Sequence, residues 1–319
     1  MSSGTIAVIG ASGFVGSHVT ATLLARGYDV HATLRDADGP NAAWLRSGVA
    51  PAGGGYAQLS LFSSDVFDKD SLNRAMSGCS GVIVCAGSPV IEPETIDLMI
   101  AVGENCCDAA IEEGIGRIVI TSSTGSTNPP EGEPELKNEI DHWSDPDLQL
   151  KQGKFAAVGK TRLDRIALGR MEESGGALRV CLINPSMIVG PAYQPEPVVS
   201  HQRFADIING ERFADQIPNS SMSLVDARDL AALHVSALER EDCSGRYFGV
   251  KQSWHWRQIL EALQRVWPAY TVPPVDPEEI AVRPTQFDLR RQNALGVTLR
   301  GLDGMLEGHV QELVRRHMI

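Results

Sequence analysis

The chain has 319 residues, 43% of them hydrophobic, which is enough for one large α/β unit with a smaller lobe. A formal net charge of −12 argues against nucleic acid or an anionic membrane surface as main partner, so a phosphate-bearing ligand needs a locally basic or backbone-built site. No apolar run approaches the roughly 20 residues of a membrane span, and no basic-then-apolar leader precedes the first strand pattern.

That strand pattern is TIAVIGASGFVG, Thr5 to Gly16. Ile6, Val8 and Ile9 suit a buried parallel strand. Gly10, Gly13 and Gly16 follow, and an apolar helical pattern continues to Gly27. Strand, tight turn and helix in this order place a helix N-terminus against a phosphate. Gly10 serves the turn, Gly13 the approach to a pyrophosphate, and Gly16 the close packing of helix on strand. An ordinary glycine-rich turn is the plain alternative.

The stretch 28–33 (YDVHAT) predicts a second strand, followed by Leu34, Arg35 and Asp36, where a dinucleotide fold meets the adenosine ribose. Arg35, with Ser12 adding a hydroxyl, would accept a 2′-phosphate and so favours NADP over NAD. In the opposing reading Arg35 is a solvated loop charge and Asp36 faces the ribose. Residues 51–55 read as a flexible surface turn and 56–62 as strand three, ending near Asp65 and Val66. Those two could hold the adenine edge, although Asp65 could equally cap the next helix. Strand four, 82–85, runs into Ala86, Gly87, Ser88 and Pro89, small residues that let a nicotinamide lie flat. A long helix over 94–113 leads to strand five, 117–121.

Strand five opens into Thr121, Ser122, Ser123, Thr124 and Gly125, hydroxyls at the end of a central strand beside the ligand crevice. The polar loop 128–147, anchored by Trp143, borders that crevice in this reading. A helix over 155–173 carries Lys160, strand six covers 178–183, and Asn184, Pro185 and the turn 189–191 follow. Beyond it the strand–helix alternation loosens. A helix over 198–209, short strands at 222–225 and 246–250 around a helix over 227–239, an amphipathic helix over 253–267 and a terminal helix over 302–317 complete the chain. The expected architecture is an α/β Rossmann-type doubly wound parallel sheet. Residues 1–188 form the dinucleotide-binding body and 189–319 mainly a substrate-binding lobe, with 222–240 returning to the body. The six cysteines (Cys79, Cys85, Cys106, Cys107, Cys181, Cys243) lack metal-type spacing and mostly lie in apolar patterns, which points to reduced thiols, no metal and a cytoplasmic setting.

With these pieces placed, the chain resembles the extended short-chain dehydrogenase/reductases, in the dihydroflavonol reductase and cinnamoyl-CoA reductase branch. GASGFVGS (10–17), LRD (34–36), TSST (121–124), HWSD (142–145), NPSMIVGP (184–191), SLVDARDLAALH (223–234) and GRYF (245–248) match in order and spacing over nearly the whole length. The resemblance implies an NADP(H) site built from Gly10, Ser12, Gly13, Phe14, Val15, Gly16, Arg35, Asp65, Val66, Ala86, Gly87, Thr121, Lys160, Pro185 and Ile188. It also implies Ser123 as the hydroxyl on the substrate oxygen and Lys160 as the grip on the nicotinamide ribose. Asn128, five residues after Ser123, matches a substrate contact or serves as a turn residue before Pro129. Ser88, Met187 and Tyr193 are further substrate candidates, and Pro89, Val90, Met187, Ile188, Tyr193 and Phe204 would give an apolar pocket for a largely apolar carbonyl compound, aromatic ones included.

The branch uses a tyrosine four residues before the lysine, on the same helical face, as proton donor. Here that position is Ala156, and the nearest tyrosines in sequence are Tyr56 and Tyr193. Three readings compete: an engineered Tyr-to-Ala substitution that leaves the protein inactive or severely impaired, a natural enzyme using water or another residue as proton source, and a non-catalytic NADP(H)-binding regulator. The same residues would also serve an alcohol dehydrogenase or an epimerase. A homodimer through the helices at 94–113 and 155–173 is the expected assembly if their apolar residues do not face only the sheet.

Overall fold

The computed structural model describes residues 4–55, 57–88, 92–274 and 279–319. In chain order the elements are β1 (Thr5–Ile9), α1 (Phe14–Ala25), β2 (Asp29–Leu34), α2 (Pro40–Trp44), β3 (Leu59–Ser63), α3 (Lys69–Met76), β4 (Gly81–Val84), α4 (Glu94–Glu112), β5 (Arg117–Thr121), α5 (Pro146–Lys151) and α6 (Phe155–Glu173). Then come β6 (Arg179–Pro185), β7 (Met187–Val189), α7 (Val199–Ile208), β8 (Ser221–Asp226), α8 (Ala227–Glu239), β9 (Gly245–Gly249), β10 (Gln252–His255), α9 (Trp256–Val266), α10 (Arg290–Ala294) and α11 (Leu302–Arg315).

Seven strands form one parallel sheet in the order β3-β2-β1-β4-β5-β6-β9. The order reverses between β1 and β4, so a crevice opens at the carboxyl ends of those strands. Alternation along β1 sorts the two cores. Ile6 and Val8 pack toward α1 and α8, whereas Ala7 and Ile9 pack toward α3, α4 and α6. On that second face α4 and α6 lie side by side in close contact. A Cβ added at Gly159 would sit 2.9 Å from Met99 Cγ, and one at Gly103 3.1 Å from Ile166 Cγ2.

A second sheet, β10-β8-β7, joins α7, α9 and α11 around its own core of Phe204, Trp254, Trp256, Leu260 and Leu306. The chain enters it after β6, returns through α8 to the large sheet, and adds β9 beside β6.

Four sequence expectations need correction. Residues 51–55 are not simply a flexible turn: they begin inside a 3-10 turn, Ala50–Gly53, that continues a π-helical turn, Leu45–Val49, in which Leu45 and Val49 are fully buried, and a Cβ added at Gly53 would lie 3.7 Å from Leu24 Cβ. β3 begins at Leu59 rather than 56, where pairing with Val30 of β2 starts; Tyr56 lies outside the described residues. The helix expected from 253 begins at Trp256. Ser253 and Trp254 pair instead with β8, and His255 caps the helix by accepting the Arg257 N–H at 3.1 Å while its own N–H donates to Gln258 Oε1. Strand six extends to Pro185 because β9 pairs with it up to that residue.

Candidate active site

The glycine loop is held from three sides. Gly10 has φ +82°, and its N–H donates to Thr33 Oγ1 at 3.1 Å while Ala11 N–H donates to the Thr33 carbonyl. A Cβ on Gly10 would lie 2.9 Å from Ala86 Cα, and one on Gly16 only 2.1 Å from the Gly10 carbonyl oxygen. The loop therefore requires glycine at both places. Gly13 is the N-cap of α1, and among the described residues no side chain caps that helix. Its first N–H groups, at Phe14, Val15 and Gly16, are left for an anion from outside. This cradle fits the pyrophosphate of a dinucleotide.

At the end of β2, Arg35 is exposed and has no ion-pair partner among the described residues. Asp36 turns back on its own loop, where its Oδ1 accepts the Asp38 N–H at 3.0 Å. Asp65 does not cap α3. It accepts the Phe67 N–H at 2.9 Å, and Asp68 takes the cap by accepting from Ser71 N–H. Val66 is buried behind it.

Across the crevice, β5 and α6 bring Thr121, Ser123 and Lys160 together. Lys160 Nζ donates to the Thr121 carbonyl at 2.6 Å, and burial pushes this ammonium down from 10.5 to about 8. The Thr121 hydroxyl is 2.8 Å from His234 Nε2, whose other ring nitrogen bonds the Leu230 carbonyl, and it also reaches Cys85 Sγ at 3.5 Å. His234 thus donates from Nδ1 and accepts at Nε2, and burial holds it neutral, with its pKa lowered to about 4. Ser123 Oγ accepts the Gly125 N–H at 3.0 Å, which keeps its own proton for a ligand. Ala156 lies one turn before Lys160, partly exposed. Of the described tyrosines, Tyr28 bonds Glu239, Tyr193 stacks on His18, Tyr247 lies under Arg291, and Tyr270 is buried in the C-terminal lobe.

A buried polar cluster fixes the serine loop from below. Asp164, fully buried, accepts from Ser122 Oγ, from Ser126 Oγ at 2.6 Å and from Asn184 Nδ2 at 3.2 Å. Burial raises the Asp164 carboxyl and these bonds oppose the rise. Arg246 donates to the Ser126 carbonyl at 3.3 Å and to that of His142 at 3.0 Å, with its guanidinium 3.4 Å from the centre of the Trp143 ring. Ser144 and Gln149 both donate to the Gly125 carbonyl. The loop 128–147 is therefore a tied-down wall, and α5 ends it, with Asp145 as cap and Pro146 at its first position.

The remaining sequence candidates are dispersed. Ala86, Gly87 and Ser88 follow β4 toward the crevice, Pro185 is buried at the end of β6, and Met187 and Ile188 are partly buried on β7. Asn128 is exposed, and its Oδ1 accepts from Lys137 Nζ at 2.6 Å. Phe204 is corrected: it is fully buried against Trp256 and His309 and lines no pocket. Pro89 and Val90 lie outside the described residues. Asp164, His234, Arg246 and Lys137 were missed. Asp164 carried a usable signal, since it stands four residues after Lys160 on the same helical face. The other three meet the site from distant segments. Among the described residues no group of three or more His, Cys, Asp or Glu could hold a metal, and no helix is long and apolar enough to cross a membrane.

Strand order and the glycine cradle together define an α/β protein with a site shaped for a dinucleotide. The chain belongs to the NAD dependent epimerase/dehydratase family, whose profile matches residues 6–248. It is 31% identical to cinnamoyl-CoA reductase 1 of Petunia hybrida over 296 residues, covering 92% of this chain and 86% of the relative. It is 30% identical to cinnamoyl-CoA reductase 1 of Arabidopsis thaliana over 313 residues, covering 97% and 89%. In structure it is similar to vestitone reductase from alfalfa (Medicago sativa L.), with TM-score 0.81 and 21% identity over 99% of this chain and 100% of that one. It is likewise similar to yeast methylglyoxal/isovaleraldehyde reductase Gre2 complexed with NADPH, with TM-score 0.83 and 18% identity over the same shares. The sequence reading of fold class, family and oxidoreductase type is borne out.

Proposed function

We propose that the chain is an NADP(H)-dependent reductase for the carbonyl of a largely apolar, aromatic small molecule, in a form that lacks its proton donor. The observation that carries this reading is the Lys160 ammonium, held at 2.6 Å on the Thr121 carbonyl, two residues before an uncommitted Ser123 hydroxyl. The phosphorylated cofactor is supported by the unpaired Arg35 and by Asp36 being occupied with its own turn. The cinnamoyl-CoA reductases among the relatives support the aromatic carbonyl.

NADPH, when bound, supplies the hydride. The chain's own work is to orient and to manage charge. Ser123 Oγ–H donates to the substrate carbonyl oxygen and stabilises the negative charge that grows there. Lys160 binds the nicotinamide ribose hydroxyls and adds positive potential to the same place. His234 bonds the Thr121 hydroxyl and so fixes the strand end that precedes Ser123 and receives Lys160. Ala156 presents a methyl group where a hydroxyl would deliver the proton to the alkoxide, so turnover is low.

Replacing Ala156 by tyrosine tests the proposal. Oxidation of NADPH with an aromatic aldehyde or an aromatic acyl-CoA thioester should rise by about 10²–10⁴-fold, while the affinity for NADPH changes little. No gain with any such carbonyl compound would defeat it. The alanine itself favours one second reading, an NADP(H)-binding protein without catalysis. That reading predicts dinucleotide binding in both forms and turnover in neither.

A further inference from the structure

Three histidines from three helices close on one turn that lies outside the Ser123–Lys160 machinery. His18 of α1 sets Nε2 at 2.8 Å from the Pro191 carbonyl. His201 of α7 sets Nε2 at 2.9 Å from the Gly190 carbonyl, and its Nδ1 accepts the Val198 N–H at 3.4 Å. His309 of α11 accepts the Gly190 N–H on Nδ1 at 3.0 Å and turns Nε2 to the Ser200 carbonyl at 3.3 Å. Both backbone groups of Gly190 thus end on imidazoles. The rings also meet in a continuous series of edge-to-face and tilted contacts. Phe14 lies 5.8 Å from His18 and 5.9 Å from His201, and His201 lies 4.9 Å from His309. Phe14 is the first residue of α1, in the pyrophosphate cradle, and the turn follows β7, on which Met187 and Ile188 are partly buried.

We propose that His18, His201 and His309 are positioning residues, a neutral clamp that fixes the Gly190–Pro191 turn against Phe14 and so holds the dinucleotide cradle and the C-terminal lobe in one geometry. Only a neutral imidazole with its proton on Nε2 does this at His201 and His309, since each must accept a backbone N–H and donate to a carbonyl at once. A second ring proton would set donor against donor. Burial keeps all three rings below their ordinary value, His309 at about 3. The charged groups around them are already matched. Asp226, on β8, is held by Arg228 of α8 at 2.8 and 2.7 Å, and Glu312 of α11 is held by Arg315 of the same helix and by Arg316, its C-cap residue. Gly190, at φ +115°, leaves room for the Asp226 carboxylate, which would otherwise lie 3.0 Å from a Cβ.

The inference rests on the glycine loop binding NADP(H), so one arm of its test needs no cofactor. Spectra of the full chain carrying ¹⁵N-labelled histidine should show His201 and His309 protonated on Nε2 alone and unchanged down to about pH 5. A proton on Nδ1, or titration near the ordinary value, overturns the clamp. In the second arm NADPH affinity is read by fluorescence. H309A should weaken it about tenfold, and H309N, whose Oδ1 restores the acceptor for Gly190, should bring it back to within about twofold. Equal loss in both variants, or no loss in H309A, overturns the proposal. Should H309A not fold, H18A against H18Q asks the same question at the Pro191 carbonyl. A wild-type chain that fails to bind NADPH would sink the functional reading instead, and the spectra would still decide the clamp.

Discussion

The two sides of the crevice are built on opposite plans. The cradle side is made of backbone and of missing side chains: Gly10 against Ala86, Gly16 against Gly10, an uncapped helix end. The serine side is made of side chains gathered from far apart, with Asp164, Asn184, Arg246 and Trp143 converging under the loop that carries Ser123. A backbone-built site is written within a dozen residues, whereas a side-chain-built one is written across the chain. The first tolerates almost no substitution at its glycines. The second spreads its support over many side chains, none of them at position 156.

Three substitutions would break or sharpen this contrast. The largest expected effect is at Asp164. Asp164→Ala leaves Ser122, Ser126 and Asn184 without their shared acceptor and should cost about 3–5 kcal/mol of stability, read by urea unfolding. A loss under about 1 kcal/mol would show that the cluster does not support the loop. Lys160→Met should act in the opposite direction. Folding lowers the lysine from 10.5 to about 8, so the native state disfavours the charged form. That penalty is fully present below pH 8 and disappears as pH rises through 10.5, the value of the unfolded chain. The methionine variant should therefore gain on the order of 2–3 kcal/mol at neutral pH, lose that gain near pH 10.5, and bind NADPH poorly. Equal stability of variant and parent at both pH values would contradict the buried charge. The smallest effect belongs to the cradle side. Arg35→Ala should weaken NADPH about 10–100-fold and leave NADH unchanged, as calorimetry would show. An equal loss for both cofactors would return Arg35 to the role of a surface charge.

How much of this was legible follows the same division. The strands, α1, α6 and α8 were readable because apolar periodicity and glycine spacing act locally, and α6 was placed at Phe155–Glu173 to the residue. Ser123 and Lys160 could be named from short matching segments. The segment 51–55 was misread because the helical turns at Leu45–Val49 and Ala50–Gly53 owe their form to Leu45 and Val49 packing on α1, a tertiary cause with a weak local pattern. β10 was absorbed into α9 since Trp254 and Trp256 fit a helical face as well as a strand until β8 supplies a partner. His18, His201 and His309 lie on three distant segments with no local pattern that links them. Their meaning exists only once Gly190 lies between them.

The seating of α6 has one more consequence. At Gly159 the helix touches Met99 without an intervening methyl, and Ala156 and Lys160 ride on the turn that this contact fixes. A bulkier residue at 159 would lift both from β5 and draw the ammonium away from the Thr121 carbonyl. While the glycine stands, the helix keeps its depth whatever side chain occupies 156. Under the proposed reading, a tyrosine introduced at 156 would project from a helix whose seating against Met99 is already set.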